Sequence, residues 1–169
     1  MTKNKNKLNK LLKSFAVGAI ALSLSTVTYS SAPYLNAAVA VDNPVITYTN
    51  QVRINHNLKP LLPDRELTIA ANAKAYDMLD KQYFDHISPD GKTPWMFINA
   101  SGYQYSKAGE NLAVGFNDYT DVMNAWMKSE SHQANILKPE YQNIGIGVAR
   151  GVLDGKESLV IVQMFGSKR

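Results

Sequence analysis

The 169-residue sequence contains no cysteine. That excludes disulfides, thiol catalysis and thiolate metal ligation at once, so a fold built from this chain rests on burial alone. Also missing is a His-Glu-x-x-His run, which removes the usual helix-borne metalloprotease arrangement. No serine sits in the glycine-flanked elbow of an α/β-hydrolase nucleophile, although Ser129 and Ser131 lie close to His132. There is no internal repeat and no low-complexity segment. Histidine is scarce, with only three in the chain, His56, His86 and His132.

An excess of charge of one sign is absent too, once the leader is set aside. Residues 1–40 have the three-part layout of a secretory signal peptide. Lys3, Lys5, Lys7, Lys10 and Lys13 form its charged start, and Phe15, Val17, Ile20, Leu22, Leu24 and Val27 supply its apolar stretch. That stretch is too short to span a bilayer comfortably. Small residues at Ala38 and Ala40 predict cleavage before Val41; an uncleaved anchor is the competing reading. Taking the five leader lysines from eighteen basic residues leaves thirteen against fourteen acidic ones, a net charge of −1. The sequence pI of about 9.2 therefore belongs to the leader. Nucleic acid and anionic membranes lose their main support as partners. With no later hydrophobic span or sorting tail in view, the expectation is a secreted, extracellular product with no transmembrane anchor after cleavage.

Residues 41–169 suit one domain with one ordinary core. Asn43-Pro44 opens a first helix, with Val45, Tyr48 and Val52 at helical spacing. Residues 57–63 read as a connector. Asp64 caps a second helix whose apolar stripe is Leu67, Ala70, Ala71, Ala75, Met78 and Leu79, running out near Tyr83-Phe84. Ser88-Pro89-Asp90-Gly91 is a turn, which places His86 on a loop edge. A short helix restarts at Thr93-Pro94 and ends at Gly102, and residues 109–115 read as a short strand. From Thr120 a helix carries Val122, Ala125, Trp126 and Ser129 on one side, followed by a helical segment that stops before Pro139. Ile144, Ile146 and Val148, then residues 159–165, form two closing strands joined by a hairpin at Asp154-Gly155. Helices first and a strand pair last argue for an α+β layered domain. Trp95, Trp126, Met123 and Met127 are expected in the core, and His56 at the surface or a helix end.

Four patches occur together and in order: Tyr83-Phe84-Asp85-His86 before a Ser-Pro-x-Gly turn, Gly109-Glu110-Asn111-Leu112-Ala113, Trp126-Met127-x-Ser129-x-x-His132-x-x-Asn135-Ile136-Leu137, and Ile144-Gly145-Ile146-Gly147. In this order and spacing the chain resembles a bacterial member of the CAP superfamily, the SCP-like extracellular proteins, over residues 44–166. The resemblance implies the CAP α-β-α sandwich, with a central, mainly antiparallel sheet between helical layers. It also implies a cleft lined by two histidines and two glutamates, in which the histidines hold a divalent metal such as Zn2+. By motif, His86 and His132 match the two histidines and Glu110 the first glutamate. The second glutamate of many non-bacterial members falls where this chain has Ser129. Glu130 follows one residue later, about 100° further round an ideal helix, and remains an alternative for the fourth position.

Two neutral imidazoles and water make a plausible zinc site if a carboxylate fixes one ring's tautomer, a role for Glu110. Each residue has a plainer reading as well: His86 bonding its turn, His132 capping a short helix, Glu110 accepting loop amides. The catalytic residues, if any, are not specified. The resemblance picks no single activity, and the missing fourth ligand favours a secreted binding module for an extracellular protein, glycan or lipid, or a structural protein, over an enzyme. A hydrolase with metal-activated water and a structural envelope protein with a vestigial cleft are the alternatives.

Overall fold

The computed structural model describes residues 43–169; the leader, its cleavage point and Val41 lie outside the described residues. The first helix, α1 (Pro44–Asn55), starts where expected, with the Asn43 side chain accepting from the Val45 amide at 2.9 Å. Strand β1 (Leu62–Pro63) lies inside the predicted connector. Helix α2 (Arg65–Asp80) is capped by Asp64, whose carboxylate accepts from the Glu66 and Leu67 amides at 2.9 and 3.1 Å. It ends before Tyr83-Phe84, earlier than expected, because Gln82 adopts a positive φ of 54°.

Helix α3 (Pro94–Ala100) and strand β2 (Tyr105–Val114) follow; β2 begins four residues before the predicted strand. Helix α4 (Tyr119–Lys128) and helix α5 (Glu130–Ile136) are separate elements, since Ser129 takes extended angles of φ −97° and ψ 120°. Ser129 thus does not continue the face of α4. The Gln133 side chain donates to the Met127 carbonyl at 3.2 Å and so satisfies an end that a continuous helix would have bonded internally. Strands β3 (Asn143–Leu153) and β4 (Lys156–Lys168) form the expected hairpin, with Asp154 and Gly155 both at positive φ.

The four strands lie in the order β1-β3-β4-β2. The β2–β4 and β3–β4 pairs are antiparallel, and the short β1 joins β3 in parallel. Strand alternation sorts the core into two layers. On one face Val160, Val162 and Met164 of β4 and Leu112 of β2 pack with Leu67, Ala71, Ala75 and Met78 of α2 and Ile98 of α3. On the other, Ile161 and Phe165 pack with Val45 of α1, Val122 and Trp126 of α4 and Ile136 of α5. This is the α-β-α sandwich. Each large aliphatic side chain so buried is worth about 1.5–3 kcal/mol.

The Ile-Gly-Ile-Gly run finds its reason here. A Cβ on Gly145 would enter the backbone of Leu67 and Thr68, and one on Gly147 the backbone of Ala71 and Asn72. Helix α2 therefore rests directly on bare strand backbone, brought close by its own alanines.

Candidate functional site

β2 is an edge strand with one sheet neighbour, and the candidate site lies along it. Alternation places Glu110 on the α2/α3 face with Leu112, while Asn111 points to the α5 side. A buried amide network fixes the latter. Asn111 donates to Gln163 at 3.0 Å and to the His132 carbonyl at 3.2 Å, and Asn135 donates to Asn111 Oδ1 at 2.9 Å and the Glu110 carbonyl at 3.0 Å. Helix α5 is thereby held against β2 by hydrogen bonds whose members are mutually satisfied.

His86 approaches from the opposite side on the loop after α2. Its turn is closed by Ser88, whose amide donates to the Lys92 carbonyl at 3.0 Å, and by Gly91 at φ +80°. His86 Nδ1 lies 2.6 Å from Glu110 Oε1. A carboxylate only accepts, so the ring proton is assigned to Nδ1 and Nε2 is left free. The Glu110 side chain is 1% exposed and that of His86 53%. Glu110 Oε2 is buried without a hydrogen-bond partner. Burial pushes the Glu110 carboxyl above its ordinary value despite the opposing pull of His86, and the hydrogen bond to Glu110 raises the imidazole of His86.

His132 is half-buried on α5, its ring 6.5 Å from that of Trp126. Burial first, and the nearby His86 second, lower its pKa. Both causes favour the neutral imidazole, the form that ligates metals. Glu130 heads α5 and is exposed. Because of the break at Ser129, Glu130 does not continue the helical face of α4. Ser129 and Ser131 face each other, with 3.3 Å between their hydroxyl oxygens.

An open cleft of about 480 Å3 runs over the edge of β2, with His86, Pro94 and Trp95 on one wall, Gly109 and Glu110 at the base, and Asn135, Lys138 and Tyr141 on the other wall. His132 is not among its lining residues. Gly109 keeps the base open, since a Cβ there would strike the Tyr141 hydroxyl and Asn135 Oδ1. Trp95 is 39% exposed, which corrects its expected place in the core. α3 buries Pro94 and Ile98, four residues apart, and Trp95 is one position, about 100°, off that face. Trp126 and Met123 are buried as expected, Met127 partly, and His56 ends α1 at the surface.

The sequence profile of the cysteine-rich secretory protein family, CAP, matches residues 46–165. The chain belongs to that family. It is 42% identical over 129 residues to YkwD of Bacillus subtilis, covering 76% of this chain and 49% of YkwD. A solved extracellular protein containing a SCP domain from Bacillus anthracis is 30% identical, with a TM-score of 0.65, over 73% of this chain and 39% of that one. This CAP chain thus spans about half or less of those two relatives. An outer surface protein of Borrelia burgdorferi, 24% identical with a TM-score of 0.63 over 74% of this chain and 90% of its own, shares the fold.

Two buried residues that sequence reasoning passed over organise this CAP cleft. Arg53 of α1, fully buried, donates to the carbonyls of Lys59, Ile136 and Lys138 at 2.9, 2.7 and 2.9 Å and of Tyr141 at 3.4 Å, which holds the α5 wall. Lys74 of α2, also fully buried, bonds the His86 loop. Each occupies the apolar side of its helix, and a lone cation in an apolar stripe was the available signal.

A divalent metal would draw its protein ligands from the two histidines. His86 offers Nε2 while its Nδ1 is oriented by Glu110, the arrangement that commonly supports a ligating imidazole, and His132 offers a neutral ring. Among the described residues no group of three or more His, Cys, Asp or Glu side chains is gathered for a metal. Two imidazole nitrogens are all that these histidines could supply to such an ion, whose remaining ligands would be water.

Proposed function

We propose that this chain is a secreted CAP binding module whose cleft over the edge of β2 captures an extracellular ligand, with a divalent ion held by His86 and His132. The carrying observation is the cleft of about 480 Å3 built on the His86–Glu110 pair. Its walls offer the His86 Nε2, the Thr93 hydroxyl and the Lys138 ammonium, the last over the Tyr141 ring at 5.5 Å, beside the exposed indole of Trp95. Such a mixture suits a ligand with both an apolar face and hydrogen-bonding groups, which a glycan supplies and a simple acyl chain does not. Export is supported by the leader-like residues 1–40 and by the extracellular description of the Bacillus anthracis relative. Among the described residues no helix is long and apolar enough to cross a membrane.

Calorimetric titration of zinc into metal-free protein, with His86→Ala and His132→Ala alongside, tests the metal claim. Binding weakened in both variants is expected; unchanged binding in both would contradict a shared site. Screening glycan, peptide and ester hydrolysis with and without chelator then separates binder from hydrolase. Metal-dependent turnover lost in Glu110→Ala would replace the binding reading with the enzymatic one.

A further inference from the structure

We propose that Lys74 is a positioning residue of the cleft, reaching from inside α2 to clasp the backbone at Asp85 and His86 and thereby aiming the His86 imidazole at Glu110. The proposal rests on the reading of His86 and Glu110 as the working pair of the cleft.

Lysine is almost never fully buried without partners, and Lys74 is 0% exposed. Its ammonium has three N–H donors and no acceptor. All three are used, on Tyr83 Oη at 3.0 Å, the Asp85 carbonyl at 2.9 Å and the His86 carbonyl at 2.8 Å. Tyr83 is anchored in turn, its hydroxyl donating to Asp77 Oδ2 at 2.6 Å. The rings of Tyr83 and Phe97 flank the ammonium, with centroids 4.7 and 5.5 Å away. Water has little access to replace any of these bonds.

The placement of the clasp separates positioning from general stapling. The His86 side chain is 53% exposed, and among the described residues its ring's one hydrogen bond is the 2.6 Å contact with Glu110. So exposed a ring is not fixed by packing and depends on where its own backbone sits. Lys74 holds that backbone, at the carbonyl of His86 and at the peptide just before it. The same cation favours the ionised form of the Glu110 carboxyl across the site, so it serves both members of the pair.

The test is heteronuclear NMR of the histidine rings and of Lys74 in metal-free protein at one fixed pH. In the unmodified protein His86 should show a protonated Nδ1 in a strong hydrogen bond, and Lys74 Nζ should show couplings across its bonds to the Asp85 and His86 carbonyl carbons. In Lys74→Met the His86 signature should be lost and its two ring nitrogens should average as in a free imidazole exchanging between tautomers, while β3–β4 amides keep their exchange protection. A folded Lys74→Met that retains the His86 signature overturns the proposal and leaves the pair intact. Absence of the signature already in the unmodified protein removes the pair itself, and the proposal with it. Should Lys74→Met not fold, the couplings in the unmodified protein decide: their presence supports the clasp and their absence refutes it.

Discussion

His86 and His132 sit in opposite electrostatic surroundings. The bond to buried Glu110 raises the first above the ordinary imidazole value of 6.5, and burial beside His86 lowers the second below it. A folded-state pKa above the unfolded one means that the His86 contribution to stability is full below the unfolded value and is lost as pH rises through the folded one. For His132 the sign reverses: its neutral ring contributes fully above the unfolded value, and that contribution is lost as pH falls toward the lower folded one. Proton NMR titration should therefore show His86 titrating above 6.5 and His132 below it; the reverse order would contradict the described pair. In Glu110→Gln the His86 titration should move back toward the ordinary value, since the negative charge that favours the imidazolium is gone. Both histidines and Glu110 were legible as motif residues. Their unequal environments were not, because these depend on which strand face Glu110 occupies and on a loop closed through Ser88.

Helices α1, α2 and α3 were legible because caps and prolines mark their starts, and α4 because apolar spacing marks its buried face, whereas α5 was legible only as a helical segment ending before Pro139. The break between α4 and α5 was less visible. Ser129 continues the sequence smoothly, and its extended backbone is supported by Gln133, a contact across the break that no local propensity encodes. The early start of β2 is likewise a tertiary effect, set by pairing of Tyr105 with Lys168 on β4. The glycines of β3 give an element-level prediction. Gly147→Ala drives a methyl into the backbone of α2, which cannot rotate away as a side chain would. It should cost about 3 kcal/mol, the upper range for overpacking, read as a lower urea midpoint with an unchanged slope. Gly91→Ala meets no neighbour and carries only the strain of positive φ, so a loss of about 1 kcal/mol is expected. Equal effects at the two sites would show that α2 does not rest directly on β3.

Across the whole molecule, two buried cations hold the opposite walls of one cleft, Lys74 the His86 loop and Arg53 the end of α5. Arg53→Met would take the guanidinium donor from four carbonyls, of which that of Lys138 keeps the Tyr141 amide at 3.4 Å. At about 1–3 kcal/mol for each buried group left unsatisfied, a loss of at least about 3 kcal/mol is expected in equilibrium unfolding. A loss under about 1 kcal/mol would mean that water or local rearrangement replaces those bonds. The layered α+β architecture could be read from element order and motif, whereas the placement of the cleft over an edge strand could not, because it depends on β2 lying outside β4. The most direct test of the account is a zinc titration followed by the ring resonances of all three histidines. His86 and His132 should respond together with one stoichiometry while His56, at the surface end of α1, stays still. Movement of only one of the pair, or of His56 alone, would contradict an ion shared by His86 and His132.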